Sequence, residues 1–162
     1  MGHGAARKGP DVERFTLPVT VRWSDCDANG HLRNTGYSEF AIEVRMAYLS
    51  SSGFGFDWLK ANQIGPVVLR EEIDYRRECG MGETLTVDFT ALGLSEDGTR
   101  FKVGHQLTKA DGQVAARLVV HGGWMDLAAR RLAPPPAGLR ALLEAVPRGP
   151  DFEVLPGLRA RG

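Results

Sequence analysis

Residues 34–51 read NTGYSEFAIEVRMAYLSS, and the spacing of their apolar side chains is typical of a helix. One stripe at this spacing is made by Tyr37, Phe40, Ala41, Val44, Ala47 and Tyr48. A second apolar strip lies about 140° further round the helix and is made by Ile42, Met46 and Leu49. A helix that is apolar on most of its circumference is surrounded by protein. We therefore predict a long helix that the remainder of the chain encloses.

The residues on either side of this helix alternate between apolar and polar types, which is typical of strands with one covered face. The predicted strands are 16–23 before the helix and 64–76, 84–94, 101–107 and 114–124 after it. The covered face is predicted to carry Leu17, Val19, Val21 and Trp23 in the first strand, and one face of the second is predicted to carry Val67, Leu69, Ile73 and Tyr75. A short helical turn is predicted at 57–62. Gly-containing turns at 96–99 and 110–112 join the last three strands as hairpins. Three prolines at 134–136 precede a predicted amphipathic helix at 137–145.

These elements predict an α+β fold in which a five-stranded antiparallel sheet is wrapped around one long central helix, with a short C-terminal helix added. We expect a flexible N-terminal segment at 1–13, one domain at 14–147 and a C-terminal tail at 148–162. One copy would leave a sheet edge and the outer side of the helix exposed. This favours a homodimer, or a homotetramer built as a dimer of dimers.

The composition is that of an ordinary globular domain. The chain has 162 residues, 20 Lys plus Arg, 20 Asp plus Glu and 43% hydrophobic residues. Because the formal net charge is zero, we expect no nucleic-acid partner. No stretch approaches the roughly 18 apolar residues of a membrane span, and the first residues lack the apolar region of a signal peptide. We therefore expect no membrane partner and a cytoplasmic location. No metal-ligand spacing or glycine-rich phosphate loop is present, so no metal and no cofactor are predicted.

Polar groups are concentrated in the loop before the helix, where residues 24–31 read SDCDANGH. Such groups beside a buried helix serve no packing purpose, which favours a functional site. The first N–H groups of a helix have no internal acceptors and can stabilise negative charge developing on a carbonyl oxygen. Asp27, seven residues before Asn34, is placed to attack such a carbonyl or to take a proton from attacking water. Gly30 permits a positive φ and a close approach of the backbone to a substrate.

The stretch 23–37, WSDCDANGHLRNTGY, resembles the signature of the 4-hydroxybenzoyl-CoA thioesterase and acyl-CoA thioesterase family of hot-dog-fold proteins. In that family an aspartate, a glycine three residues later and an asparagine-rich helix start recur in this order. The similarity extends from about residue 17 to 127 and includes the segments 66–68, 73–75 and 82–85. The resemblance implies a hot-dog fold and the hydrolysis of an acyl-CoA thioester, with CoA as part of the substrate.

The resemblance also implies roles for individual residues. Asp27 matches the catalytic aspartate, His31 matches a histidine of the long-chain acyl-CoA branch, and the backbone N–H of Asn34 would face the thioester carbonyl. Gly30 matches the glycine that lets the backbone approach the substrate. Tyr37 and Trp58 are expected to bind substrate because they are aromatic and near the loop in sequence, and Arg33 and Val68 are expected to bind it as well. The residues expected to bind the CoA phosphates are Arg70, Arg76 and Arg77. Arg33 departs from the family pattern, in which two asparagines are common at this point.

Several simpler interpretations stay open. Asp27 could cap the loop, His31 could be structural, and the arginines could belong to a solvated sheet face. Asp25 is expected to stabilise the loop, and His105, on an apolar strand row, to lie in the core. Cys26 has no clear histidine base and is not expected to be a nucleophile. The alternative functions are a hot-dog hydratase or dehydratase and a non-catalytic acyl-CoA-binding protein.

Overall fold

The structure is a computed structural model that describes residues 13–158. Of the N-terminal segment predicted at 1–13, only Glu13 lies within the described residues. The elements in chain order are β1 (Phe15–Thr20), a 3₁₀ turn (Trp23–Asp25), α1 (Asn34–Ser51), α2 (Phe56–Ala61), β2 (Ile64–Tyr75), β3 (Thr84–Ser95), β4 (Arg100–Thr108), β5 (Val114–Asp126), β6 (Arg131–Leu132), α3 (Ala137–Glu144) and β7 (Arg148–Leu155). Every predicted helix and strand is present. The 3₁₀ turn, β6 and β7 were not predicted.

The strands form one seven-stranded sheet, in which five strands follow the order β1-β3-β4-β5-β2. All four pairings in this order are antiparallel, as predicted. β6 adds two residues beside the end of β5. The two predicted hairpins are confirmed, and Gly98 and Gly112 adopt φ values of 75° and 85° in their turns.

The C-terminal tail predicted at 148–162 instead contains β7, which pairs in parallel with β3. β3 has twelve residues whereas β1 has six, and β1 pairs only with residues 84–89 of β3. β7 pairs with residues of β3 between 91 and 95, beyond the end of β1. Backbone N–H and C=O groups that lack partners are costly, and β1 leaves such groups along the second half of β3. β7 pairs with this half of β3, which is the physical reason for the strand.

The core lies between α1 and the inner face of the sheet, where α1 contacts β1, β3 and β5. The buried residues of the predicted helix stripe are Tyr37, Phe40, Ala41 and Val44. The buried sheet residues facing them are Leu85, Val87, Phe89, Ala91, Phe101, Val103, His105, Leu107, Ala116, Leu118, Val120 and Trp124. These rows confirm the strand alternation predicted for β3, β4 and β5.

The second apolar strip of α1 is only partly covered. Leu49 is buried and Met46 is half-buried, but Ile42 is 46% exposed. The strip lines a partly open cavity between α1 and the first residues of β2. One copy of the chain therefore covers α1 on its sheet side and leaves part of the second strip open.

β1 ends three residues earlier than predicted. The pairing with β3 stops at Thr20, after which the Arg22 N–H donates to the Asp25 carboxylate and the chain enters the 3₁₀ turn. Trp23, predicted on the covered face of the strand, is 81% exposed as a result.

A bulge in β2 changes which of its side chains face α1. Ile73 lies opposite buried Leu118, and residues directly opposite each other in an antiparallel pair share a face. The register then shifts at Leu69, so that Val68 continues this row opposite Gly122. Leu69, which alternation predicted on the covered face, is instead 55% exposed.

Candidate active site

The predicted catalytic loop is a tight turn that closes on Asp27. The Gly30 N–H donates to the Asp27 carbonyl (3.1 Å), and the Asp27 N–H donates to the His31 carbonyl (2.8 Å). Gly30 has a φ of 76°, and no atom lies within 4 Å of the position that a Cβ would take. The turn therefore requires glycine for its backbone conformation. The close approach of substrate to Gly30 stays a prediction.

The Asp27 carboxylate is exposed and only half engaged by this turn. Its Oδ1 accepts hydrogen bonds from the N–H groups of Asn29 (2.8 Å) and His31 (3.3 Å). Its Oδ2 has no hydrogen-bond donor among residues 13–158. Oδ1 thus caps the loop, as the simpler interpretation of Asp27 predicted. Oδ2 is free to react.

Asp25, two residues earlier, has a different role. It is only 2% exposed, and its carboxylate accepts hydrogen bonds from the backbone N–H of Arg22 (2.9 Å) and from its guanidinium (3.0 Å at each oxygen). These hydrogen bonds keep the pKa of Asp25 below its usual value. The Asp25 carbonyl also accepts from the Arg33 N–H (2.9 Å). The predicted loop-stabilising role of Asp25 is confirmed.

The start of α1 carries free backbone donors. No side chain caps the helix, and the N–H groups of Asn34 and Thr35 have no acceptor among residues 13–158. The next N–H group, that of Gly36, donates to the Arg33 carbonyl (2.9 Å). Unpartnered N–H groups at the positive end of a helix dipole favour a negative charge beside them. The helix start can therefore stabilise an oxyanion.

Asp27, His31, Asn34 and Tyr37 line one open cleft of about 360 Å³. The structure thus brings together the three residues predicted as catalytic and one predicted to bind substrate. The facing wall is formed by the end of β2 and the segment after it, namely Tyr75, Arg76, Arg77 and Glu78.

Two tyrosines hold the end of β2 against the start of α1. The Tyr37 O–H donates to the Arg77 carbonyl (3.2 Å), and the Tyr75 O–H donates to the Asn34 carbonyl (3.2 Å). Their rings meet edge to face, with centroids 5.2 Å apart. Burial raises the pKa of Tyr37, so this residue keeps its proton and acts as a donor.

His31 faces the second wall of the cleft. Its Nδ1 lies 3.5 Å from a Glu78 carboxylate oxygen, and its backbone pairs with Gly80. The imidazole makes no hydrogen bond to the Asp27 carboxylate. His31 therefore has no direct contact through which its side chain could orient Asp27.

Arg33, predicted to contact substrate, is directed toward its own loop and helix. Its guanidinium donates to the Ser24 carbonyl, to the Thr35 hydroxyl (3.0 Å) and to both carboxylate oxygens of Glu39 (3.1 and 3.0 Å). Arg33 does not line the cleft and instead braces the start of α1.

Three further predicted binding residues also lie outside this cleft. Trp58, in α2, packs edge-on against Phe54 with ring centroids 4.7 Å apart. An eighteen-residue α1 is about 27 Å long, so the aromatic residues that follow it lie near its far end. Val68 lines the partly open cavity between α1 and β2 instead, and Arg70 forms an exposed ion pair with Glu72 (2.8 Å). Arg70 therefore belongs to a solvated sheet face, as the simpler interpretation of this residue predicted.

Neither cysteine is placed as a nucleophile. The Cys26 thiol donates to the Arg22 carbonyl (3.4 Å). Cys79 is fully buried 3.9 Å from the Tyr37 hydroxyl, and burial raises the pKa of its thiol.

Residues 13–158 contain no group of three or more His, Cys, Asp or Glu side chains that could hold a metal ion. None of the helices in this part of the chain combines the length and the apolar character that a membrane span requires.

The wall at 75–78 was predicted only in part. Arg76 and Arg77 were expected to contact CoA, but the contributions of Tyr75 and Glu78 were not anticipated. The available signal was the position of Tyr75 at the end of the covered row of a strand, because the last residue of such a row lies at the rim of the sheet.

Comparisons with known proteins agree with this architecture. The sequence profile of the thioesterase-like superfamily matches residues 21–143. The chain is 29% identical over 127 residues to the long-chain acyl-CoA thioesterase FadM of Escherichia coli, which covers 78% of this chain and 94% of FadM. It is also 31% identical over 94 residues to the chloroplastic acyl-[acyl-carrier-protein] hydrolase FATB1 of Cuphea viscosissima. That match covers 58% of this chain and spans only 19% of the length of FATB1.

Two solved structures show the same fold. The SAV2348 protein of Staphylococcus aureus, solved in complex with CoA, has a TM-score of 0.76 and 21% identity, covering 92% of this chain and 90% of that one. Slr0204, a 1,4-dihydroxy-2-naphthoyl-CoA thioesterase of Synechocystis, has a TM-score of 0.74 and 21% identity, covering 82% and 97%.

Because the superfamily profile matches most of its length, the chain belongs to the thioesterase-like superfamily. The predicted hot-dog fold and the resemblance to acyl-CoA thioesterases are confirmed. The chain is accordingly a thioester hydrolase.

Proposed function

We propose that the chain hydrolyses acyl-CoA thioesters to a free acid and CoA in the cleft between the Asp27 loop and the start of α1. One observation carries this proposal: an exposed carboxylate with a free oxygen and an uncapped helix start line the same cleft. The relative FadM, a long-chain acyl-CoA thioesterase, supports an acyl-CoA substrate.

The helix start would act on the thioester carbonyl. When a nucleophile adds to this carbonyl, its oxygen becomes negatively charged, and a preorganised donor stabilises that charge without reorganisation. The Asn34 N–H is the first such donor, and the Thr35 N–H is the second. This interaction grows as the charge develops, so it lowers the barrier rather than merely binding the substrate.

Asp27 would supply the attacking group in one of two ways. Its free Oδ2 can attack the carbonyl carbon, which expels the CoA thiolate and leaves an acyl-enzyme anhydride. Water then hydrolyses this anhydride to the free acid and restores the Asp27 carboxylate. Alternatively, it can take a proton from a water molecule that attacks directly. Its Oδ1 stays bound to the turn in both cases, which fixes the direction of the carboxylate.

Arg76 and Arg77 are the best-placed candidates for the CoA phosphates. Both line the cleft, and both also line a neighbouring surface depression beside Gln113 and Val114. Arg77 Nε donates to the Gln113 side chain (3.0 Å), which leaves other guanidinium donors available. A phosphate that accepts from both arginines would lie next to the proposed site of thioester cleavage.

A second copy of the chain would complete the structure around α1. β2 stands at the end of the sheet order, so one of its edges lacks a neighbouring strand in the described chain. Val68 and Leu69 expose apolar side chains along this strand, and Ile42 exposes one on the facing part of α1. Pairing two copies here would cover these groups and enclose α1 as the central helix of the assembly.

The test is the release of free thiol from short, medium, long and aromatic acyl-CoA thioesters by the native chain and by Asp27→Asn. Asparagine retains an oxygen that can accept from Asn29 and His31, so the turn should persist. We expect turnover to fall about a hundredfold or more, as for loss of a central acid–base or nucleophilic group.

Asp151→Asn is the matched control, because Asp151 is an exposed aspartate in β7, away from the cleft. This variant should retain native turnover. Unchanged turnover in Asp27→Asn would remove Asp27 from the mechanism. Binding without turnover on every thioester would contradict hydrolysis and favour a non-catalytic acyl-CoA-binding protein.

A further inference from the structure

Arg33 joins the two chain segments that the proposed reaction needs, the loop that carries the attacking carboxylate and the start of α1. On the loop side, its backbone N–H donates to the Asp25 carbonyl (2.9 Å) and its guanidinium donates to the Ser24 carbonyl. On the helix side, the same guanidinium donates to the Thr35 hydroxyl (3.0 Å) and to the Glu39 carboxylate (3.1 and 3.0 Å). One residue therefore holds the loop and the first turns of the helix together.

An arginine is an unusual residue at this point of a helix. Arg33 occupies the N-cap position of α1, where a side chain normally accepts a hydrogen bond from the first N–H groups. A guanidinium has no acceptor, and its positive charge opposes the positive end of the helix dipole. The N–H groups of Asn34 and Thr35 are left without an acceptor among residues 13–158. Departures from local preference of this kind are expected at functional sites.

Folding stability does not explain the contacts of Arg33. Its side chain is 35% exposed and that of Glu39 is 46% exposed. Ion pairs between such groups contribute little to stability, because water screens the charges and both side chains lose freedom. The guanidinium is nevertheless a rigid planar fork, and each of its three nitrogens donates to a different residue. These contacts therefore fix geometry more than they stabilise the fold.

The proposed reaction depends on that geometry. The thioester carbon must lie about 3–3.5 Å from the attacking group while the thioester oxygen accepts from the Asn34 N–H. The Asp27 carboxylate belongs to the loop and the Asn34 N–H belongs to the helix, so the relative position of the two segments sets both distances. A misplacement of about 1 Å can cost roughly a hundredfold in rate.

We propose that Arg33 is a positioning residue for thioester hydrolysis. It fixes the Asp27 loop relative to the Asn34 N–H and, as a cap without an acceptor, leaves this N–H free for the thioester oxygen. Arg33 lines no part of the cleft, so it acts through Asp27 and Asn34 and not by touching the substrate. This role rests on the proposed function and deepens it.

Arg33→Met tests the proposal, because methionine has a long side chain but no donor. With the acyl-CoA thioester that the native chain hydrolyses fastest, kcat should fall about ten- to a hundredfold. KM should change by less than about threefold, since a residue outside the cleft contributes little to substrate binding. Arg33→Lys retains the charge but donates from a single nitrogen, so it should recover part of the lost kcat.

Arg140→Met is the matched control. Arg140 also donates to a carboxylate, that of Glu144, and to a backbone carbonyl, that of Glu96. It lies in α3 and does not line the cleft. This variant should retain the native kcat.

The Asp27→Asn background separates positioning from general damage to the protein. Without the attacking carboxylate the loop has no reacting group to position, so adding Arg33→Met should lower the residual turnover by less than about threefold. An equal fold loss in the native and Asp27→Asn backgrounds, or a loss that appears only in KM, would overturn the proposal.

Glu39→Met tests the same contacts from the helix side if Arg33→Met fails to fold. Glu39 is half-exposed, so its replacement should not disturb the core. The guanidinium loses its carboxylate partner in this variant, and kcat should fall roughly three- to tenfold with KM unchanged. An unchanged kcat would contradict the positioning role.

NMR relaxation of the backbone amides at 24–31 measures the constraint without any turnover. Their order parameters should be near about 0.85 in the native chain and fall toward about 0.6 in Arg33→Met. Unchanged order parameters would overturn the role of Arg33. If the native chain hydrolyses no thioester, the proposed function fails, whereas the relaxation data still decide whether Arg33 fixes the loop.

Discussion

The two ends of α1 place charge in opposite environments. At the N-terminal end, the Asp27 carboxylate is exposed beside unpartnered backbone N–H groups. In the C-terminal half, Arg45 and His105 are bonded to each other inside the protein. Burial and the nearby Arg45 charge lower the pKa of His105 to about 3, outweighing its hydrogen bond to the Asp88 carbonyl. The N-terminal end therefore presents its polar groups to solvent, and the C-terminal half keeps His105 neutral inside the protein.

The largest effect is expected from Asn34→Pro at the N-terminal end. Proline is tolerated at the first position of a helix, and it removes only the N–H proposed to bind the oxyanion. Arg33 has φ −63° and ψ 155°, a conformation that a residue before proline adopts readily. We expect kcat to fall about 10²–10³-fold with the melting temperature preserved.

Asn34→Ala separates the backbone of this residue from its side chain, because alanine retains the N–H. The proline variant should lose far more turnover than the alanine variant. Equal losses in the two would show that the difference between the ends of α1 does not depend on this free N–H group.

The C-terminal half of α1 is tested by pH. A histidine with a pKa of 6.5 when unfolded and about 3 when folded binds a proton only in the unfolded state between these values. The free energy of unfolding should therefore decrease as pH falls from 6.5 toward 3, by about 1.4 kcal/mol per pH unit from this residue. Denaturant unfolding at several pH values measures the slope.

His105→Gln provides the control, because an amide can donate to the Asp88 carbonyl and accept from Arg45 as the imidazole does. This variant should show a shallower slope over the same pH range. Direct observation by NMR of imidazole protonation near pH 6 would contradict the buried, neutral state of His105.

A smaller effect is expected at the turn that presents Asp27. Gly30→Ala places a Cβ on a residue with φ 76°, which costs roughly 1–2 kcal/mol. In a chain of this size each kcal/mol lowers the melting temperature by about 2–4 °C. Gly112→Ala, at φ 85° in the hairpin between β4 and β5, should cost as much stability. Only Gly30→Ala should also reduce turnover. Equal turnover in both variants would show that the conformation of the Asp27 turn does not affect catalysis.

Alternation could predict β3, β4 and β5 because each has a buried row that repeats every second residue over most of its length. It could not predict β7, which shows no such row and forms because β1 leaves half of one edge of β3 unpaired. The bulge at Leu69 was likewise invisible, since one extra residue reverses the faces of a strand without changing its composition.

The candidate site divides in the same way. Asp27, Gly30 and Asn34 could be predicted because they are contiguous with the helix start that gives them a chemical purpose. The facing wall at 75–78 comes from a strand about forty residues later, and only the fold brings it to the cleft. The contact between Arg45 and His105 joins residues sixty positions apart, so the sequence pattern of either element could not predict it.

The most direct measurement is a crystal structure of Asp27→Asn with an unhydrolysed acyl-CoA thioester. We expect the thioester oxygen about 2.7–3.1 Å from the Asn34 nitrogen, and the thioester carbon about 3–3.5 Å from the side chain of residue 27. A thioester bound away from the start of α1, with the Asn34 N–H facing water, would contradict the central claim that this helix start and Asp27 together form the catalytic site.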